Sequence, residues 1–334
     1  MHDILTWNPF ANPVLPVGDW IADFVRWLVT NYRFVFQAMK QPIDSVLSGV
    51  EGSLRSCPPT VFIALVFLFA WQVARLRVAI FVAVAFVLIG LIGAWPEAMT
   101  TLAIIITSVL VCCVIGIPVG ILMAQNDLLE NIARPVLDFL QTIPSFVYLV
   151  PIVMLFGIGN VAGVVVTIIY AVSPLIRLTN LGIRQVRDDL VEASSAFGAS
   201  RWQSLVKIQL PLARPTIMTG INQTIMLSLS MSVIASMISV TGLGQMVLRG
   251  IGRLDVALAA TGGLGIVLIA MIVDRISQGI GKSDRANAHE HWTATGPVGL
   301  MRQGWNALAS LPRKEIEVLR TDSVPQGEGK GRPL

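Results

Sequence analysis

The residues best equipped for a task lie between Arg177 and Arg214, a polar stretch with acids, bases, small residues and turn formers in a fixed order. Asp189 can cap a helix start, with Glu192 three residues on completing a capping-box-like pair. Gly198 ends that helix, because glycine takes the left-handed terminal conformation without steric cost. Ser200 caps a second helix with Gln203 as its partner, and Pro211 stops it. The spacing predicts a helix, a tight Gly-Ala-Ser turn and a second helix.

Other reactive groupings lead nowhere. His289-Glu290-His291 lacks the third ligand and the spacing of a zinc site and reads as solvated tail. Gly281-Lys282-Ser283 completes only half of a phosphate-binding loop, since Ile276 stands where the first glycine is required. No histidine lies outside the polar ends, so no nucleophile–histidine–acid set forms, and no ATP site is expected. Three cysteines, Cys57, Cys112 and Cys113, make no disulfide framework.

The elements that position the polar loop are apolar. Of 334 residues, 54% are hydrophobic and 13% charged, with a mean hydropathy of +0.72. A soluble domain carries roughly 25% charged residues, so disorder is excluded and a soluble enzyme disfavoured. The chain reads as an all-α integral membrane protein. Seven spans are predicted at about 60–74, 78–95, 98–124, 135–157, 160–176, 215–240 and 256–274. Pro118, Pro144 and Pro151 fall inside spans and permit kinks. Gly262, Gly263 and Gly265 suit close packing in the last one.

Residues 1–58 differ. From Val17 to Val50 apolar positions recur at helical spacing with charges on other faces. This is either an amphipathic helix lying on the bilayer, broken at Pro42, or a helix packed on the bundle. Residues 59–281 form the transmembrane domain, with the polar loop at 188–211, and 282–334 form a loosely ordered tail. No cleaved signal peptide is expected. An outside N-terminus and a cytoplasmic C-terminus leave only Arg26, Arg33, Lys40, Arg55, Arg249 and Arg253 outside, of 24 basic residues.

Glu192 to Trp202 also has the pattern of a DNA-binding helix-turn-helix. Flanking spans leave no free domain to dock in a major groove, so nucleic acid is not expected. Glu192-Ala193-Ser194, three residues, Gly198, nine residues, Ile208, one residue, then Leu210-Pro211 resembles the EAA motif of ABC importer permeases. Ser194 stands where that motif most often has alanine. Stretches 209–222 and 236–255, with Asp274-Arg275, resemble the branch that serves glycine betaine, proline betaine and choline import. The resemblance spans about 17–281.

That resemblance implies a permease subunit in the cell inner membrane, with Glu192, Ala193, Ser194, Phe197, Gly198, Ala199, Ser200, Ile208, Leu210 and Pro211 coupling it to a separate ATPase. Phe197 is either a plug for that partner or packs on its own second helix. ATP and magnesium belong to the ATPase, and no cofactor is expected on this chain. A separate extracytoplasmic binding protein and a second copy of the chain complete the importer. Only one such loop is present, and a homodimer is favoured over a heterodimer.

Polar groups at membrane depth mark a path. Candidates are Asp138, Gln141, Thr142, Ser145 and Tyr148 around Pro144, with Asn222, Gln223 and Thr224 in the sixth span. A permanent ammonium favours aromatic faces, and Phe146, Tyr148 and Phe156 are nearest. Lipid or helix packing explains them as well. The rival function is an ion-coupled secondary transporter or channel, which would need ionisable residues deep in the bundle; Asp138 and Asp274 lie near predicted ends.

Overall fold

Unbroken apolar runs and internal hydrogen bonding make helices the only economical solution for most of this chain. The computed structural model describes residues 16–286. His2, and the tail beyond Ala286 with His289 and His291, lie outside the described residues.

α1 spans Val17–Ser56 and runs through Pro42 without a break. The missing proline donor is outweighed by burial on both sides of it, where Phe36, Ile43, Leu47, Val50 and Leu54 pack into the bundle. The first half of α1 leaves Trp20, Ile21, Phe24 and Trp27 exposed. The two sequence alternatives are therefore divided between its halves: the second is packed, the first is an unpacked amphipathic face. At Cys57-Pro58 the chain turns 108° into α2, Pro59–Val73.

α2 and α3, Leu76–Leu91, form a hairpin against the start of α4, Trp95–Gln125. Phe62, Phe86 and Trp95 pack edge to face there, with centroids 5.2 to 6.1 Å apart. Asn126 caps α5, Asp127–Thr142, its Oδ1 accepting from the Leu128 and Leu129 amides at 3.0 and 3.3 Å.

The expected single span at 135–157 is not one helix. Pro144 forces Ile143 into extended backbone, a 3-10 turn covers Ser145–Tyr148, and α6, Leu149–Phe156, leaves at 100° to α5. The span predicted at 160–176 is longer, α7 running Asn160–Arg184. Its extension is polar, but Arg177, Asn180 and Arg184 all find partners on neighbouring helices.

α8 spans Asp188–Ala196 and α9 Arg201–Ser204. The helix does not stop at Pro211. A π turn over Leu205–Gln209 leads straight into α10, Leu210–Ile234. The wider turn, in which the Leu210 amide donates to the Leu205 carbonyl, absorbs the ring that an α-helical ladder would reject. α11, Leu243–Arg253, and α12, Val256–Ala286, close the described residues as an antiparallel pair.

Among the described residues, four helical stretches are long and apolar enough to cross a membrane alone: 95–125, 160–184, 201–238 and 256–280. The bent pairs α1–α2 and α5–α6 raise the number to six, and α3 is a shorter apolar helix. Each of the seven predicted segments overlaps a helix or a bent helix pair, and seven is an approximate count of crossings.

α4 and α7 run side by side in the same direction, Gly116 against Val172 and Leu175, Gly120 against Thr179. A methyl at Gly120 would stand 2.6 Å from Thr179 Cβ, so only glycine permits this approach. α10 runs back along α7, with the Thr224 hydroxyl donating to the Ala171 carbonyl at 3.1 Å. Gly262 and Gly265 admit Val247 and Leu243 of α11, as close packing requires, while Gly263 faces open space. α1 and α11 meet the start of α4, through Arg55 to Thr100 at 2.8 Å and the Leu243 amide to Thr101 at 2.9 Å. The α8–α9 unit projects from the other end.

Candidate functional site

The α8–α9 unit is held by local bonds that its own residues dictate. Gly198 takes φ +82°, and the Gly198 and Ala199 amides donate to the Ser195 and Ser194 carbonyls at 2.9 and 3.0 Å. Ser200 and Gln203 form the full capping box, at 3.3 Å to the Gln203 amide and 2.9 Å back to the Ser200 amide.

The first cap differs from expectation. Arg187, not Asp189, precedes α8, and it makes no side-chain cap bond. Arg187 grips the Asp189 carboxylate with two bonds, at 3.1 and 2.5 Å, which fixes Asp189 inside the first turn. Its Oδ1 accepts from the adjacent Leu190 amide, and no capping box with Glu192 forms.

Ser194 has a use that its small size alone did not suggest. It is buried, donates to the Val191 carbonyl at 2.8 Å and lies 2.9 Å from the buried Ser204 Oγ. This bond ties α8 to α9. Glu192, Ala193, Ala196 and Gly198 remain on the outside, with Ala199 half-buried. Phe197 is 92% exposed and Trp202 70% exposed, so Phe197 does not pack on its own second helix. Ile208 and Leu210 are half-buried and Pro211 exposed, all beyond the tip in the π turn and the start of α10. The motif therefore divides into an outward tip and a supporting stem. Below the tip lies a cavity of about 520 Å³ lined by Gln125, Arg184, Asp188, Val191, Ser195 and Arg201, among others.

The path candidates are less unified. Tyr148 donates its hydroxyl to the Leu140 carbonyl at 2.5 Å, bridging the α5–α6 break. Gln141, Thr142 and Phe146 are exposed and Ser145 half-buried. The 145–148 turn packs against α10, which carries Asn222 and Gln223. Asn222 accepts from the Ser277 hydroxyl at 2.5 Å, and Gln223 is exposed. Thr224 is consumed by α7. Phe156 is 5% exposed with its ring 5.6 Å from Phe36, so it offers no face to a ligand in this conformation.

Sequence reasoning missed a charged belt. Asp138 meets Arg177 at 2.6 Å, although Arg177 Nε and Nη2 have no well-aligned acceptor. Glu130, Arg134, Asn180 and Arg184 form a second group nearby. A cavity of about 320 Å³ is lined by residues of both groups. The signal was present: 127, 130, 134 and 138 on one helix and 177, 180 and 184 on another repeat every three or four residues.

Residues 116–283 match the family described as the binding-protein-dependent transport system inner membrane component. The chain belongs to this family. It is 54% identical over 294 residues to the glycine betaine/proline betaine transport system permease protein ProW of Escherichia coli, covering 88% of this chain and 83% of that one. It is 43% identical over 278 residues to the glycine betaine/carnitine transport permease protein GbuB of Listeria monocytogenes, covering 82% and 98%. An inward-facing structure of the MetNI methionine ABC transporter aligns over 56% of this chain and 94% of its own, with TM-score 0.52 and 22% identity. At that identity the likeness is one of fold. As an inner membrane permease this chain crosses the bilayer several times.

Proposed function

We propose that this permease moves a quaternary ammonium compound of the betaine and choline type into the cytoplasm, driven by a separate ATPase through the α8–α9 tip. One observation carries the coupling role: a fully bonded helix–turn–helix presents exposed Phe197 and Trp202 at the end of an apolar bundle. Large apolar side chains held out by a rigid turn are what a partner groove can use. The substrate class is supported by the names of relatives up to 54% identical.

Two copies assemble, each offering one tip to one ATPase. ATP and magnesium bind the ATPase and not this chain. The tip faces the cytoplasm and the N-terminus lies outside, with a separate binding protein delivering the substrate there. Gln141, Ser145, Phe146, Tyr148, Asn222 and Gln223 border the path.

Uptake of labelled glycine betaine into vesicles holding permease, ATPase and binding protein tests this. Uptake is expected to require ATP and to stop in ATP-depleted vesicles that keep their ion gradients. Sustained uptake without ATP would establish the secondary-transporter alternative instead.

A further inference from the structure

Between the tip and helix α5 stands an ionic junction built on one buried carboxylate, with its arginines reaching solvent. Glu130 is 8% exposed. Its Oε1 accepts from Asn180 Nδ2 at 2.9 Å and from Arg134 Nη2 at 2.5 Å. Its Oε2 faces Arg184 Nη2 at 2.9 Å. Arg184 in turn reaches Asp127 Oδ1 at 2.6 Å, the Met123 carbonyl at 3.1 Å and, through Nε, Asn180 Oδ1 at 3.1 Å. One guanidinium therefore joins the end of α4, the first turn of α5 and the last turn of α7.

Position gives the junction its meaning. Arg184 is the final residue of α7, and α8 begins four residues later. The same side chain lines both the cavity under the tip and the cavity between α5 and α7. Glu130 lies about three and a half turns before the Ile143–Pro144 break along α5, which stays one helix through Pro135. A displacement of the tip enters the bundle at Arg184. A buried carboxylate that accepts three charged or polar donors cannot exchange them for water at low cost, so α5 must follow.

We infer that Glu130 and Arg184 are positioning residues: a strut that makes α5, and with it the break at Pro144, move with the α8–α9 tip. The idea rests on the coupling role proposed above, but its mechanical part concerns this chain alone. The other charged groups facing the strut are Arg134 and Asp127, with Arg177 and Asp138 across the smaller cavity.

The test uses a chain with its three cysteines replaced and spin labels at Ile132→Cys and Leu190→Cys, both exposed positions on α5 and α8. The inter-label distance distribution is expected to be narrow. Glu130→Gln and Arg184→Gln should each broaden it, and the double variant should broaden it no further. In the assembled importer, the same variants should keep basal ATP hydrolysis and lose about tenfold in hydrolysis stimulated by loaded binding protein, per assembled complex. If either fails to assemble, Asn180→Ala, which removes the bracing amide alone, carries the same comparison. Narrow distributions in the variants, or broadening with full stimulation, would overturn the strut. Gly198→Trp serves as the control for the reading beneath it: full stimulation there would refute the coupling role, while the distance measurement still judges the junction.

Discussion

Two interruptions of the helical ladder sit at opposite extremes of local self-sufficiency. At Phe197-Gly198-Ala199 the chain turns from α8 to α9, and backbone bonds, a capping box and the Ser194–Ser204 contact satisfy the turn from within. At Ile143-Pro144 it turns by 100° from α5 to α6, and one side-chain bond, Tyr148 to the Leu140 carbonyl, spans the gap. The first is built to keep its shape when pushed. The second depends on what packs around it, with α6 lying against α1 and α7. In the coupling role proposed above, the first would deliver a force and the second would take it up.

Replacing Gly198 breaks the comparison most severely. The glycine has open space around it, so the cost is backbone strain at φ +82° and not a clash. Gly198→Trp should cost about 1–2 kcal/mol locally and displace Phe197. Membrane insertion should be intact, while stimulated hydrolysis and uptake fall by roughly a hundredfold, as read in reconstituted vesicles.

Tyr148→Phe attacks the yielding end. It leaves the Leu140 carbonyl without its partner, for about 1–3 kcal/mol. Assembly with the ATPase and basal hydrolysis should persist, and the maximal uptake rate should change by roughly tenfold or less. Loss of assembly would mean that the break is a structural joint like the tip.

A charge reversal sharpens the tip's electrostatics. Glu192→Lys reverses an exposed charge at the centre of α8, on the outward side of the tip. Stimulated hydrolysis should fall severalfold. Ser194→Ala has the smallest expected effect. It removes the hydroxyl contact to Ser204, lowering stability by about 1 kcal/mol. Thermal unfolding should shift by a few degrees with coupling retained.

The tip was legible in the sequence because its determinants are local. Gly198, Ser200 and Gln203 specify their turn through neighbours three to five residues away, and the structure repeats that specification bond for bond. Asp189 misled because a nearby Arg187 competed for its carboxylate. Pro211 misled because a stop signal can be absorbed by a π turn, a choice made by the continuity of α10 with the bundle. The α5–α6 break was foreshadowed by Pro144, but its angle depends on what surrounds it. Glu130, Asn180 and Arg184 escaped notice individually because their meaning lies in a junction of three helices, although their periodic spacing was visible.

The claim that the exposed tip delivers force to an ATPase is tested most directly by cross-linking. A cysteine at Phe197→Cys in an otherwise cysteine-free chain, assembled with the ATPase, should form a cross-link to that subunit through a short thiol–amine reagent. The side chain is 92% exposed and needs no rearrangement to react. The account predicts a covalent permease–ATPase product and loss of uptake once it forms. An active complex that gives no such product, or that transports normally while linked, would contradict it.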